Sequence, residues 1–494
     1  MTGIGHGEPA LVAATGAPGR QPDKLFWPLA GLLAALLPSL WMWGFCVDDA
    51  WISVRYARNL AEGAGYRFHP LGPSTDGVTP LPWPFVLAPL ARADPVDALL
   101  RAKALGLLCW AAAGARLGAA LGEQGDARPL ARGLALVVVG LSVPLAAHAV
   151  SGMETALATA LCTFAAASPR PWLRAVLAGL ASAFRPELLP WSLCLAAVPE
   201  LGRETERMAR ASALALLASI PFGLCVLVRL LAWGHVAPLS VQAKPSDLSH
   251  GLAYAGAAFL ACLTPLLALS PLATLRSGKL ARGLAVAAVA HAASVVFVGG
   301  DWMPYARLVA PIAPGLALLT AISSARSSRG SLALRGLLAL SLGAYLAGKA
   351  APQGRGVLED RLALVREARP VLAGARRIAA LDVGWVSASS GAPLVDLAGL
   401  TDPDIAALGG GHTSKRVPPS LLLTRDVDLL LVYVSSGVTG ERPGDLSRAT
   451  GMRAVEARLL GSTLAAERFA PKAFLRLGSK GAGYIVLRRI DAPP

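Results

Sequence analysis

Residues 25–46, LFWPLAGLLAALLPSLWMWGFC, run directly into residues 47–60, VDDAWISVRYARNL, and the join between them decides how the chain is organised. The first stretch contains no Asp, Glu, Lys or Arg and is close to the ~20 residues that a helix needs to cross hydrocarbon. Asp48 and Asp49 then stand side by side at the head of a segment in which Ile52, Tyr56 and Leu60 recur at helical spacing, with Arg55 and Arg58 alongside. Such a segment, 50–62, suits a helix lying in the membrane interface. Ionised side chains at a membrane boundary are costly, so they are usually paired, solvated or functional. Capping of the following helix explains one aspartate, because a side-chain oxygen there accepts an orphan N–H and the helix dipole favours negative charge. It does not explain two, and both are candidates for a reactive centre.

The composition agrees with a membrane chain. A length of 494 residues would suggest several soluble domains, but 54% of residues are hydrophobic, only 16% are charged, and the apolar residues fall in repeated runs. The fold class expected is a polytopic α-helical membrane protein with about eleven transmembrane helices, at 25–46, 96–121, 130–150, 153–167, 172–184, 188–198, 211–231, 252–275, 280–298, 304–322 and 336–350. The net charge of +15 raises the question of nucleic acid. The Lys and Arg residues lie mainly in short loops, with no basic stripe interleaved with aromatics, so topology explains the excess and no nucleic-acid partner is expected. Basic loops at Arg170 and Arg174, at Arg203, Arg207 and Arg210, at Arg276, Lys279 and Arg282, and at Arg326, Arg329 and Arg335 fall on one side, which is expected to be cytoplasmic. Parity then places Asp48 and Asp49 outside, together with 152–155, 185–187, 234–251, 299–307 and everything after 351. Residues 1–24 are expected to form a disordered cytoplasmic tail. Six cysteines, most of them within apolar runs and none in a Cys-x-x-Cys or His-paired cluster, serve as small apolar fillers.

Three regions follow: the tail 1–24, a transmembrane region 25–350 with a first outer loop at 47–84, and a region 351–494 of different pattern. In the last, 377–382 and 428–434 are expected as buried strands, 359–369 and 402–408 as helices, and 469–476 and 484–490 as further strands. These make a small extracytoplasmic α/β domain, without the Gly-x-Gly-x-x-Gly or Walker pattern of a nucleotide site.

The outward loops collect Asp48, Asp49, Arg55, Glu154, Arg185, Glu187, His235, Lys244, Asp301 and Arg307, all at the ends of expected spans. Alone, an arginine at a span end more often snorkels to lipid phosphate. Together they outline a pocket of both charge signs. Transfer of a sugar from a lipid-linked phosphate to a hydroxyl needs a carboxylate to take the acceptor proton and cations to stabilise the departing phosphate. Two neighbouring carboxylates can divide that work, one acting as base while the other orients it or holds a cation.

The segment 48–63, with Asp76-Gly77-Val78-Thr79-Pro80-Leu81-Pro82-Trp83, Gly152-Met153-Glu154-Thr155-Ala156-Leu157, Arg185-Pro186-Glu187, Trp233-Gly234-His235 with Lys244, Gly299-Gly300-Asp301-Trp302-Met303-Pro304 and Asp396-Leu397-Ala398-Gly399-Leu400-Thr401-Asp402, resembles the GT-C superfamily of membrane glycosyltransferases. Within it, the motifs resemble the group containing the actinobacterial terminal arabinofuranosyltransferase, whose sister group is described as flagellar motor control proteins. The resemblance implies a multi-pass protein of the bacterial cytoplasmic membrane with its active site and C-terminal domain outside. It implies a polyprenyl-phosphate sugar donor, arabinofuranose being one candidate sugar, and a glycan or lipid acceptor. Asp48 and Asp49 would be catalytic, Lys244 and Arg55 would meet the donor phosphate, and Glu154, Arg185 and Asp301 would wall the pocket, with Arg58, Glu187, His235 and Arg307 as further binding candidates. Residues 236–243 lack the Pro-Asn pairing of that group. A divalent cation is compatible with the sequence but not required by it. The alternative reading is a non-catalytic membrane protein of envelope or motility assembly.

Overall fold

A computed structural model describes residues 25–124, 127–244, 246–263, 274, 276–325, 327–435, 453–479 and 481–491. The expected tail 1–24, the far end of the expected span 252–275 and Arg326 lie outside these residues.

Among the described residues, four helices are long and apolar enough to cross a membrane: Pro95–Glu123, Thr205–Trp233, Lys279–Phe297 and Arg329–Lys349. A fifth crossing arises if Pro129–Gly140 and Val143–Ala149 act as one span bent by 56°. The bend falls where the Ser142 hydroxyl caps the second helix by accepting the Leu145 N–H, and where Pro144 supplies no donor of its own. About eleven spans is therefore not supported. The other expected spans are shorter helices, among them Phe26–Trp41, Thr155–Ala166, Pro171–Phe184 and Leu248–Ala261. At 1.5 Å per residue, even the 16-residue helix Phe26–Trp41 reaches only about 24 Å of a hydrocarbon core near 30 Å thick. Breaks such as Arg185-Pro186-Glu187 cut the apolar runs, because proline cannot continue the hydrogen-bond ladder. The long helices nonetheless turn apolar side chains outward. Thr205–Trp233 exposes Leu216, Ile220, Leu224, Leu227 and Leu231 at helical spacing, a face suited to lipid.

The segment expected in the interface folds as helix Asp48–Ala61, but its position differs. Ala50, Trp51, Ile52, Ser53, Val54, Tyr56, Ala57 and Asn59 are all buried. The helix is wedged between the start of Pro95–Glu123, the short helix Trp83–Leu87 and a helix of the C-terminal region, Val383–Ser389. Apolar side chains on more than one face explain the burial: a surface helix needs only one such stripe.

Lys103, inside Pro95–Glu123, ties that helix to the segment leading into Asp48. Its ammonium donates to the carbonyls of Phe45, at 2.5 Å, and Val150, and lies 4.9 Å from the Trp43 ring centroid. Carbonyls just past helix ends have no partner within their helix, so a buried cation that takes two of them sets the chain path into Asp48.

The C-terminal region is built on a five-stranded sheet ordered β2-β1-β3-β5-β4. The strands are β1 (Ile378–Ala380), β2 (Leu394–Asp396), β3 (Leu429–Val434), β4 (Phe469–Arg476) and β5 (Gly483–Arg489). β1 pairs in parallel with β2 and β3, while β5 runs antiparallel between β3 and β4, with an irregularity between Pro471 and Ala473. The parallel core strands are almost wholly buried, which is why they appear in the sequence as continuous apolar runs. β1, β3, β4 and β5 match the expected strands; β2 and helix Val383–Ser389 were not expected.

Candidate functional site at the junction of the helices and the C-terminal sheet

The two neighbouring aspartates point to different tasks. The Asp48 carboxylate accepts the backbone N–H of Gly384 at 2.9 Å and of Trp385 at 3.0 Å. Those are orphan donors in the first turn of Val383–Ser389, so Asp48 caps a helix 336 residues away in sequence. A side chain at Gly384 would meet the Asp48 carbonyl oxygen at 2.2 Å, so glycine is what lets the two helices close. Burial pushes the Asp48 carboxyl up to about 6; the charges of Asp382 and Asp49 add to this, while Arg361 and the Trp385 N–H oppose it.

A raised pKa means that the fold favours the protonated form. The junction is expected to be firmest below the ordinary aspartate pKa and to loosen as pH rises through about 6. Thermal unfolding of the intact protein from pH 4 to 8 should show this slope, and Asp48→Asn should flatten it. Asp48→Ala should cost about 0.5–2 kcal/mol, as loss of a helix cap does. Identical pH profiles for wild type and Asp48→Asn would remove this role.

Asp49 has no such engagement. Its backbone carbonyl accepts the Ser53 hydroxyl, but no hydrogen bond or ion pair to its carboxylate occurs among the described residues. Its charge is felt by Arg307 and by His412. Arg307 donates to Asp301 at 2.7 Å. Burial works against the Arg307 charge, yet Asp301, Glu154 and Asp49 hold its pKa above the ordinary arginine value. Asp301 in turn is held below the carboxylate range against its own burial by Arg307, Lys244 and Arg185. His412 is pushed down to about 4 by burial and by Lys244, so it is neutral at physiological pH. Asp49, Lys244, Asp301, Arg307 and His412 thus form one electrostatic neighbourhood, with His412 contributed by the C-terminal region. The Lys244 backbone N–H donates to the Val241 carbonyl at 3.3 Å, but its ammonium has no hydrogen bond or ion pair among the described residues.

Behind this group lies a buried triad. Arg185 bonds Glu154 at 2.9 Å and Glu187 at 2.7 Å, and all three side chains are under 10% exposed. The second oxygen of Glu154 is buried without a partner. A guanidinium between two carboxylates leaves one negative charge uncompensated, and the Arg307 guanidinium senses it.

The remaining candidates lie apart. Arg55 donates to the Phe68 carbonyl at 3.1 Å and Arg58 pairs with Glu62 at 3.1 Å. Both line a separate cleft with Trp51, Val54, Pro95, Ser387 and Ala388. His235 stacks on Trp233 beside a buried ion pair, Arg229 to Asp76 at 2.6 Å. That pair ties helix Thr205–Trp233 to the 66–84 loop, and Leu400 and Thr401 pack on Gly77 in the same loop. Sequence reading missed Lys103, Arg229, His412, and the partly buried group of Asp382, Arg361 and Arg453 around the buried Tyr484 that backs Asp48. Only Asp382 had a signal, as the polar end of an apolar strand. Among the described residues, no group of three or more His, Cys, Asp or Glu side chains is placed to hold a metal ion.

Residues 357–481 match a family model described as a domain of unknown function, DUF8728. No curated protein and no solved structure matches the chain.

Proposed function

We propose that this chain is a GT-C-type glycosyltransferase that moves a sugar from a polyprenyl-phosphate donor to a glycan or lipid acceptor at the outer face of a bacterial cytoplasmic membrane. The observation that carries the reading is the Asp49 carboxylate, without a hydrogen bond or ion pair among the described residues, whose charge acts on Arg307, the partner of Asp301, while Lys244 acts on the same Asp301 and on His412 of the C-terminal region. Asp49 takes the proton of the acceptor hydroxyl as its oxygen forms a bond to the anomeric carbon. The bond from that carbon to the phosphate oxygen breaks, and polyprenyl phosphate leaves with the electron pair. Lys244 and Arg307 stabilise the charge that develops there. A phosphate leaving group is weakly basic and needs no acid to protonate it. Asp48 acts as a positioning residue, because both of its oxygens are committed to Val383–Ser389. The same commitment is what favours the alternative, a non-catalytic assembly protein, for that residue.

The test is transfer by the purified full chain in lipid vesicles, using radiolabelled polyprenyl-phosphate donors that carry arabinofuranose, mannose or glucose and a mixed set of glycan acceptors. Label should leave the lipid phase and appear on an acceptor. A blank across all donors would count against the enzyme and for the assembly protein.

A further inference from the structure

The loop 299–307 leaves an aromatic ring exposed beside the charged cluster. Trp302 is 65% exposed, yet its ring is held: it stacks on His250 with centroids 4.5 Å apart and planes 16° from parallel. The His250 ring is fixed in turn, because its Nδ1 donates to the Gly299 carbonyl at 2.8 Å. Gly299 and Gly300 both adopt left-handed backbone, at φ 83° and 72°. A side chain at Gly300 would lie 2.7 Å from the Tyr254 Cβ and 3.2 Å from His250 Nδ1, so two glycines are needed for the loop to close on these rings. The Tyr254 hydroxyl accepts the Leu308 N–H on the far side of the same loop. His412, from the C-terminal region, has its ring centroid 6.2 Å from that of Trp302 at 54°. The neighbouring residue Asp301 is paired with Arg307.

A large exposed ring, pre-oriented by a stack and surrounded by hydrogen-bonding groups, is a poor use of apolar surface unless something covers it. A tryptophan of a membrane-interface belt would serve as an anchor. Trp302 instead packs on His250 and lies 6.2 Å from the His412 ring of the C-terminal region, while its neighbour Asp301 pairs with Arg307, so hydrogen-bonding groups from two regions of the chain gather around the one ring. An occupant with an apolar face and a polar rim fits both the ring and its surroundings. A neutral sugar ring is such a group: its axial C–H bonds form one face, and its hydroxyls reach donors and acceptors at the edge.

We infer that Trp302, on its His250 support, is the stacking platform for a neutral sugar ring of the glycan acceptor. This rests on the proposed glycosyl transfer in assigning the ring to the acceptor. The acceptor is favoured over the donor because Trp302 is 65% exposed, whereas Arg307, which would meet the donor phosphate, is only 12% exposed at the side chain.

The experiment has two arms on the full chain in detergent or nanodiscs. The first measures direct binding of methyl glycosides and of neutral arabino-, manno- and gluco-oligosaccharides by saturation-transfer NMR, for wild type, Trp302→Ala and Trp302→Phe. At least one wild-type oligosaccharide complex is expected, weakened about tenfold by Trp302→Ala and less by Trp302→Phe, the scale of one aromatic contact. The second arm measures transfer, with KM for acceptor raised in Trp302→Ala while KM for donor and kcat stay near wild type. Absence of oligosaccharide binding by the wild type, or equal binding by Trp302→Ala, overturns the platform. So does a changed donor KM with an unchanged acceptor KM. If no donor is turned over but binding still depends on Trp302, the platform stands and the transferase reading fails. Because Trp302 is mostly exposed, both variants are expected to unfold at the wild-type temperature.

Discussion

Asp49→Asn should reduce sugar transfer by roughly 10²–10⁴-fold, the contribution typical of a positioned general base, while expression, unfolding temperature and oligosaccharide binding remain at wild-type level. The stability expectation follows from the absence of any partner to the Asp49 carboxylate among the described residues: there is no hydrogen bond to lose. An amide of the same shape keeps the volume and removes the basicity. Asp48→Asn should behave differently, with altered pH dependence of unfolding and a smaller loss of transfer, since its role is to hold Val383–Ser389. Equal losses of turnover in the two variants would contradict the division of labour between them. Full activity in Asp49→Asn would exclude it as the base.

The second large effect concerns stability. Arg185→Ala strands the carboxylates of Glu154 and Glu187, which are 1% and 9% exposed at the side chain, without their counter-ion. Removing one partner of a buried ion pair costs about 3–5 kcal/mol, because the remaining charge stays desolvated. That is a large part of the roughly 5–15 kcal/mol that holds a typical protein folded. The folded, monodisperse yield should fall sharply, and the unfolding temperature with it. A triple variant that replaces Arg185 by Met and both glutamates by Gln should recover part of the loss, since no net charge is then left buried. A near-wild-type unfolding temperature for Arg185→Ala would show that water reaches the triad.

What the sequence made legible differs from element to element. The apolar runs announced helices because hydropathy is a property of composition. They overstated the crossings because 153–167, 172–184 and 188–198 are apolar enough for spans but fold as helices of 12, 14 and 9 residues, Thr155–Ala166, Pro171–Phe184 and Leu189–Ala197, short of the ~20 residues that a crossing needs. β1, β3, β4 and β5 were readable from apolar or alternating runs, whereas β2, three residues long like β1, has only Leu394 and Val395 before Asp396 and follows the turn residues Ser390, Gly391 and Pro393. In the candidate site, the pairing of Asp301 with Arg307, six residues apart, stays within one loop, and the motifs themselves named the participants. The cap by Asp48 on Gly384 and Trp385 could not be foreseen, because it depends on how the C-terminal sheet docks and not on any local pattern. Arg55 and Arg58 illustrate the opposite error. Being next to the aspartates in sequence does not bring them to Asp49, since helix geometry turns them toward the cleft beside Ser387 and Ala388.

The most direct test is an experimental density map of the full chain in a lipid nanodisc with a non-hydrolysable polyprenyl-phosphate sugar analogue. The expected result places the phosphate against Lys244 and Arg307, with Asp49 facing the anomeric carbon from the side where an acceptor hydroxyl would approach. A head group bound at the Arg55 and Arg58 cleft, or density at neither place, would contradict it.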